Sequence, residues 1–163
     1  MPEPLQLPAM VSSRPLYETK SGDAPARLIW LAAANQPLDG FEGMTSAQRA
    51  WLIAQGFQGQ AKRHILLPGR EGEPAGVVLG IGDGQSGDPC GPAVMLVGLL
   101  PALLPAGTWA LAQPTVHGEA AAIAWGLGAY AFRRYKSGNG LGPRPVLRLP
   151  ATVNVDRICA IVD

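Results

Sequence analysis

Short apolar runs alternate with helix-like segments along the chain, and this alternation most restricts its fold. The runs "RLIWLAAA", "RHILLP", "AGVVLGIG", "GTWALAQ" and "PVLRL" are bounded by turn residues, which is typical of strands. The segments "TSAQRAWLIAQG" and "HGEAAAIAWGLGAYAFRRYK" carry apolar residues at helical spacing. Since strands that alternate with helices build parallel or mixed sheets, we predict an α/β domain: a mixed sheet with flanking helices.

The first helical segment has a clear beginning and end. Thr45 and Gln48 form a capping box, and Gly56 provides the stop. One face of this helix is apolar and consists of Ala47, Ala50, Trp51 and Ala54. After this helix, "RHILLP" and "AGVVLGIG" are separated by "GREGEP", which predicts a hairpin. A further helix should start near Pro92 and finish before Pro105, because proline blocks helix continuation.

The last helical segment ends in "WGLGAYAFRRYK". Its predicted buried side consists of Trp125, Leu127, Ala131 and Phe132. Gly126 and Gly128 would allow a neighbouring element to approach closely, because glycine has no Cβ. This segment should therefore be a core helix.

Composition fits one compact domain. A chain of 163 residues buries roughly 70% of the surface that it exposes when unfolded. With 47% hydrophobic and 15% charged residues and a net charge of +1, no overall field would draw it to nucleic acid or an anionic membrane. We predict an extended lead-in over residues 1–26, the domain itself over 27–150, and a tail or the start of a linker over 151–163.

No membrane span is predicted, and a cytoplasmic location is expected. The stretch from Pro89 to Val116 lacks charged side chains, yet Pro101 and Pro105 interrupt it and no basic residue anchors it. The N-terminus has no pattern of a secretory signal. Two cysteines far apart in the sequence do not indicate an oxidising compartment or a metal.

A glycine motif begins at the end of the third apolar run, "AGVVLGIG". Gly82, Gly84 and Gly87 satisfy G-x-G-x-x-G, and a ligand loop here would also include Gly80. However, "DPCGP" separates the motif from the next helix, and Asp83 places negative charge where a phosphate would sit. A plain strand-to-helix loop is the favoured interpretation, with a vestigial nucleotide loop as the alternative.

Three cations end the last helical segment: Arg133, Arg134 and Lys136, called the cationic cluster below. With Tyr135 among them they could contact nucleic acid, since an aromatic ring can stack on a base. The favoured interpretation is simpler, because cations in the last turn interact favourably with the helix dipole. Elsewhere, His117 and Glu119 do not have the partners that a zinc deaminase site needs, and no catalytic or metal-ligating residue is predicted.

Four stretches together give the chain a resemblance. They are "AWLIAQGFQGQAKRHILLPG", "AGVVLGIGD", "LPALLPAGTWALA" and "AIAWGLGAYAFRRYK". In sequence and order they resemble the N-terminal domain of bacterial leucine aminopeptidases, the cytosol aminopeptidases. The resemblance implies a macro-domain-like fold in a cytoplasmic metalloprotease, a hydrolase whose separate catalytic domain removes N-terminal residues from peptides.

Further expectations come from the resemblance alone. The family's catalytic domain binds two divalent metals, zinc or manganese, and forms the core of a homo-hexamer. Its metal-binding signature has no counterpart in this sequence, so the resemblance implies that this chain alone does not hydrolyse peptides and that the catalytic domain of the same polypeptide is its partner. Kinship with macro domains leaves an ADP-ribose-binding or nucleotide-binding module as an alternative. DNA contact through the cationic cluster is another, since some members of the family bind DNA.

Overall fold

The computed structural model describes residues 12–19, 25–83, 93–113, 118–135 and 143–163, and of residues 131–135 only the backbone. Its strands and helices are β1 (Tyr17–Thr19), β2 (Arg27–Ala33), α1 (Ser46–Ala54), β3 (His64–Pro68), β4 (Pro74–Gly82), α2 (Leu100–Leu103), β5 (Gly107–Leu111), α3 (Gly118–Tyr135), β6 (Pro145–Leu149) and α4 (Val155–Val162). A 3₁₀ segment, Ala93–Leu99, leads directly into α2. The five predicted strands and both long helical segments are thus confirmed.

All strands of the described residues lie in one six-stranded sheet, in the order β1-β6-β5-β2-β4-β3. Only β3 and β4 pair antiparallel, as the predicted hairpin. The other neighbours pair parallel. The predicted α/β class with a mixed sheet and flanking helices is therefore confirmed.

The sheet has a core on each face. One core contains α3, α4, α2 and the 3₁₀ segment, and its largest fully buried side chains are those of Trp109 and Trp125. The other contains α1, with Trp30, Phe41 and Leu52 at its centre. Alternate residues of β2 and β4 pack into one core or the other, because successive side chains of a strand point to opposite faces of the sheet. The central strands are consequently buried on both sides.

Helix α1 begins at the predicted capping box, but its apolar face is turned to solvent. The Thr45 hydroxyl accepts from the Gln48 backbone N–H at 3.2 Å, and the Gln48 side chain accepts from the Thr45 N–H at 3.0 Å. The buried residues are Gln48 and Leu52, whereas Trp51 is 43% exposed. All four alanine and tryptophan positions of the predicted apolar face are exposed. The helix therefore packs through the side opposite to that face.

Helix α3 is the predicted core helix, and its backbone meets the 3₁₀ segment at two glycines. A Cβ on Gly128 would overlap the carbonyl oxygen of Gly98, and one on Gly98 would lie 2.7 Å from the carbonyl oxygen of Ala124. The predicted close approach at Gly128 is thus confirmed. Trp125 is buried as expected, but Leu127 is 43% exposed, so its predicted burial is wrong. The inner face instead runs through the alanines at 121, 122 and 129.

Two elements lie in the segments predicted as an extended lead-in and as a tail. Strand β1, within the lead-in, pairs with β6, and its Glu18 carboxylate accepts from the Arg148 guanidinium at 3.0 Å. Helix α4, within the tail, is capped by the Asn154 side chain, which accepts from the Arg157 backbone N–H at 3.1 Å. Its buried side includes Ile158 and belongs to the larger core. Both segments thus contribute to the folded unit.

Candidate functional site

The glycine motif is described only in part, since Gly84 and Gly87 lie outside the described residues. Gly80 and Gly82 end strand β4, where the loop after α1 runs alongside them. The Gly80 N–H donates to the Arg63 carbonyl at 2.7 Å, and the Gly82 N–H donates to the Gly59 carbonyl at 3.0 Å. The backbone of Gly80 and Gly82 is therefore engaged within the fold.

Close packing explains why glycine stands at position 80. A Cβ there would overlap the Gln60 carbonyl oxygen and lie 2.8 Å from the carbonyl carbon of Gly59. The space that a phosphate cradle would leave open is filled by the chain's own backbone. The described part of the motif thus lends no support to an ADP-ribose or nucleotide pocket, and the interpretation as a plain loop is favoured.

The cationic cluster falls at the end of α3. Arg133 and Arg134 lie in the last turn of the helix, and Lys136 lies outside the described residues. Their place in the last turn agrees with the favourable interaction between cations and the helix C-terminus. Contact of this cluster with nucleic acid stays a prediction.

Ionisable side chains do not gather into a metal or catalytic constellation within the described ranges. No three His, Cys, Asp or Glu residues there are placed to hold a metal ion. His64 is half-buried in β3, and Glu119 forms an ion pair with Arg157 at 3.1 Å.

The hydroxyl of Tyr17 is a buried polar group that joins two elements. It donates to the Ala122 carbonyl at 2.8 Å, and a Cβ on Gly126 would overlap its oxygen, so it packs directly against the backbone of α3. Burial, with the nearby charges of Cys159 and Asp163, raises the pKa of this hydroxyl far above its ordinary value. A hydroxyl that is buried and kept neutral acts as a structural link between β1 and α3.

This link has no signal in the sequence. Tyr17 belongs to a three-residue strand, too short for a periodic pattern, and its partners lie more than a hundred residues away. The ion pair between Glu18 and Arg148 is equally remote in sequence. Only the pairing of β1 with β6 brings these groups together.

Comparison with known families identifies the chain. The family model of the M17 aminopeptidase N-terminal domain matches residues 25–144. The chain belongs to this family. The resemblance stated from the four sequence stretches is therefore confirmed.

A solved structure shares the fold. It is the 1.8 Å crystal structure of the cytosol aminopeptidase from Coxiella burnetii, with a TM-score of 0.65 and 23% sequence identity. The match covers 88% of this chain and 30% of that protein, so the chain spans less than a third of its solved relative. A comparison with the curated proteins found no match. In the described part of the chain, no helix combines the length and apolar character that crossing a membrane requires.

Proposed function

We propose that this chain is the non-catalytic N-terminal accessory domain of a two-metal leucyl aminopeptidase that removes N-terminal residues from peptides. The observation that carries the proposal is the match of the M17 N-terminal domain model over residues 25–144. The fold shared with about a third of a cytosol aminopeptidase is consistent with it. Catalysis would then belong to another part of the parent polypeptide.

The chemistry assigned to that other part needs two divalent metals, zinc or manganese. Two such ions would activate water and polarise the scissile carbonyl, which lowers the barrier to amide hydrolysis. No residue of this chain is assigned to that site. Its contribution would be to shape the rim of the assembled enzyme and the access of peptides to it.

Helix α4 suits the attachment of a following domain. Its buried residues, with Ile158 at their centre, are held in the larger core, and Arg157 pairs with Glu119 of α3. On the same helix, Asp156 pairs with Arg14, and the Asp163 carboxylate accepts from the Ser13 N–H at 2.7 Å. A domain that continues from α4 would therefore be joined to a fixed support.

The wider expectations belong to the same proposal. The parent would be cytoplasmic and bacterial and would assemble as a homo-hexamer through its catalytic domains. The division of this chain into residues 1–26, 27–150 and 151–163 also stays a prediction. Strand β1 and helix α4, which join the sheet and the core, favour counting both end segments with the domain.

Three proteins test whether catalysis belongs to another part of the parent polypeptide. They are this 163-residue chain, the full polypeptide encoded by its reading frame, and that polypeptide without residues 1–163. Release of p-nitroaniline from leucyl-p-nitroanilide would be followed with added Zn²⁺ or Mn²⁺ and after chelation. We expect activity only where the catalytic part is present, lost on chelation and regained with metal. In the protein without this domain, we expect a changed KM for longer peptides.

Two outcomes would contradict the proposal. One is metal-dependent turnover by the 163-residue chain itself at a rate comparable with the full polypeptide. The other is a reading frame that encodes no metal-binding hydrolase domain. Circular dichroism of the isolated chain serves as the control, because an unfolded chain would be inactive for a trivial reason.

A further inference from the structure

The helical layer over the larger core, formed by the 3₁₀ segment, α2, α3 and α4, carries most of the exposed apolar side chains. Eight large apolar side chains are exposed in the described part of the chain, and five of them lie on this layer. They are Leu99, Leu103, Leu127, Tyr130 and Ile161, between 39% and 50% exposed. Single exposed apolar residues are normal in proteins, whereas a group of them on one surface marks a site of interaction.

The orientation of α3 directs two of these side chains away from the sheet. The helix meets α4 on one flank at Gly126 and the 3₁₀ segment on the other flank at Gly128. Trp125, which is fully buried, lies opposite Leu127, because two successive steps of about 100° turn a helix to its other side. Leu127 therefore points to solvent between the two flanks. Tyr130, three residues further along and 50% exposed, shares that side.

The last turn of α4 adds a third apolar side chain beside these two. Val162 belongs to the larger core and packs against α3, since its methyl groups would lie 2.8 and 2.9 Å from a Cβ on Gly126. Ile161, the residue before it, is 50% exposed. The apolar patch, as we name this surface, consists of Leu127, Tyr130 and Ile161.

The described charges around the apolar patch already have partners within the domain. Glu119 of α3 pairs with Arg157 of α4 at 3.1 Å. Asp156 pairs with Arg14, and the Asp163 carboxylate accepts a backbone N–H at 2.7 Å. The 3₁₀ segment and α2 contain no charged residue. This surface therefore suits an apolar surface of a protein.

We propose that the apolar patch is the surface on which the following domain of the parent polypeptide docks. This inference rests on the proposed function, in which a catalytic domain continues from α4. Ile161 belongs to the last turn of that helix, so residues that follow Asp163 in the parent leave the domain beside the patch. The chain spans less than a third of its solved relative, which leaves room in such a parent for a domain that covers the patch.

A domain joined at α4 has an advantage over a separate copy of this chain. A short connection holds the joined domain at an effective concentration in the millimolar range, whereas a free copy reaches only its bulk concentration. Docking removes the remaining apolar surface of the patch from water, at about 25 cal/mol per Å². The joined domain should therefore occupy the patch first.

Hydroxyl-radical footprinting of the full polypeptide measures whether the apolar patch is covered. The domain supplies matched references: Leu66 of β3 is 38% exposed against 43% for Leu127, and Ile53 of α1 is 69% exposed against 50% for Ile161. Both references lie outside the helical layer. If docking is favoured at least about tenfold, the equivalent of about 1.4 kcal/mol, Leu127 should be oxidised about tenfold more slowly than Leu66. Ile161 should be protected likewise relative to Ile53.

A substitution in the patch tests docking from the other direction. Leu127→Lys in the full polypeptide should raise the oxidation of Ile161 at least about fivefold, because an unpaired charge in an apolar interface opposes docking. Ile53→Lys, the same kind of change on the other face of the sheet, should leave it unaltered. Circular dichroism checks that both proteins are folded. If the lysine at position 127 prevents folding, Leu127→Ala should shift the oxidation of Ile161 in the same direction.

Three results would overturn the inference. One is an active full polypeptide in which Leu127 is oxidised as fast as Leu66. Another is an equal effect of Leu127→Lys and Ile53→Lys on the oxidation of Ile161. The third is protection of the patch that disappears on dilution, since a second copy would then be the occupant. The footprint is read without substrate, so these results are distinct from failure of the proposed function, which would show as missing metal-dependent release of p-nitroaniline.

Discussion

Substituting Gly126 with alanine should destabilise the fold, although alanine is the better helix former. A Cβ at this position would overlap the Tyr17 hydroxyl oxygen and lie 2.8 and 2.9 Å from the two methyl groups of Val162. Alanine would gain about 1 kcal/mol of helix propensity. Overpacking costs about 1–3 kcal/mol, and displacing a buried hydroxyl from its hydrogen bond costs about 1–2 more. We expect a net loss of about 2 kcal/mol in the free energy of unfolding.

A double-mutant cycle with Tyr17→Phe tests the cause of this loss. Alone, Tyr17→Phe should cost about 1–2 kcal/mol, because the hydrogen bond to the Ala122 carbonyl is lost. In the Tyr17→Phe background the overlapping oxygen is gone, so Gly126→Ala should cost at least about 1 kcal/mol less. The free energy of unfolding would be taken from urea denaturation followed by tryptophan fluorescence, for all four proteins.

The control for this cycle is Gly40→Ala, since no atom lies within 4 Å of a Cβ placed there. Its effect should stay within about 0.5 kcal/mol. Additive effects of the two core substitutions, or a Gly126→Ala protein more stable than the wild type, would refute the packing argument.

Three further outcomes are expected. Burial raises the pKa of Tyr17, so above about pH 10 the unfolded chain loses this proton before the folded chain does. The free energy of unfolding, measured by urea titration, should therefore be lower at about pH 11 than at about pH 9, and the decrease should be smaller in Tyr17→Phe. In Gly128→Ala the new Cβ would overlap the Gly98 carbonyl oxygen, so the free energy of unfolding should fall by about 1–3 kcal/mol. Gly40→Ala, measured in the same titration, should show no such decrease. If the cationic cluster binds DNA, a salt-sensitive gel shift should vanish when all its members become alanine; no shift of the wild type at low salt would end that hypothesis.

The fold was largely predictable because its strands are short, apolar and bounded by turn residues. The orientation of α1 was not. Most of its nine residues are alanine or larger apolar residues, so the helical period does not distinguish inside from outside. Leu52 turns inward to meet Phe41 in the smaller core, and Gln48 is buried because both its side chain and its N–H bond Thr45. Tertiary packing, and not the apolar pattern, thus determines which face of α1 is buried.

Remote pairing accounts for the other differences. A strand of three residues has no period, and β1 exists because β6 accepts it as a neighbour. The role of the glycine motif was harder still to predict from the sequence. The glycine motif satisfies its sequence pattern, yet Gly80 is required by the Gln60 backbone that passes over it. A pattern of glycines indicates close approach, and only the structure shows whether a ligand or the chain itself comes close.

Strand β1 has a consequence for how the chain is made. Among the described strands it is made first, yet β6, its neighbour in the sheet, and α3, which anchors Tyr17, are synthesised much later. Closing so long a loop has an entropic cost, and docking must wait for both partners. Strand β1 can therefore join the sheet only after β6 and α3 have been made, and until then the outer edge of β6 stays open for pairing.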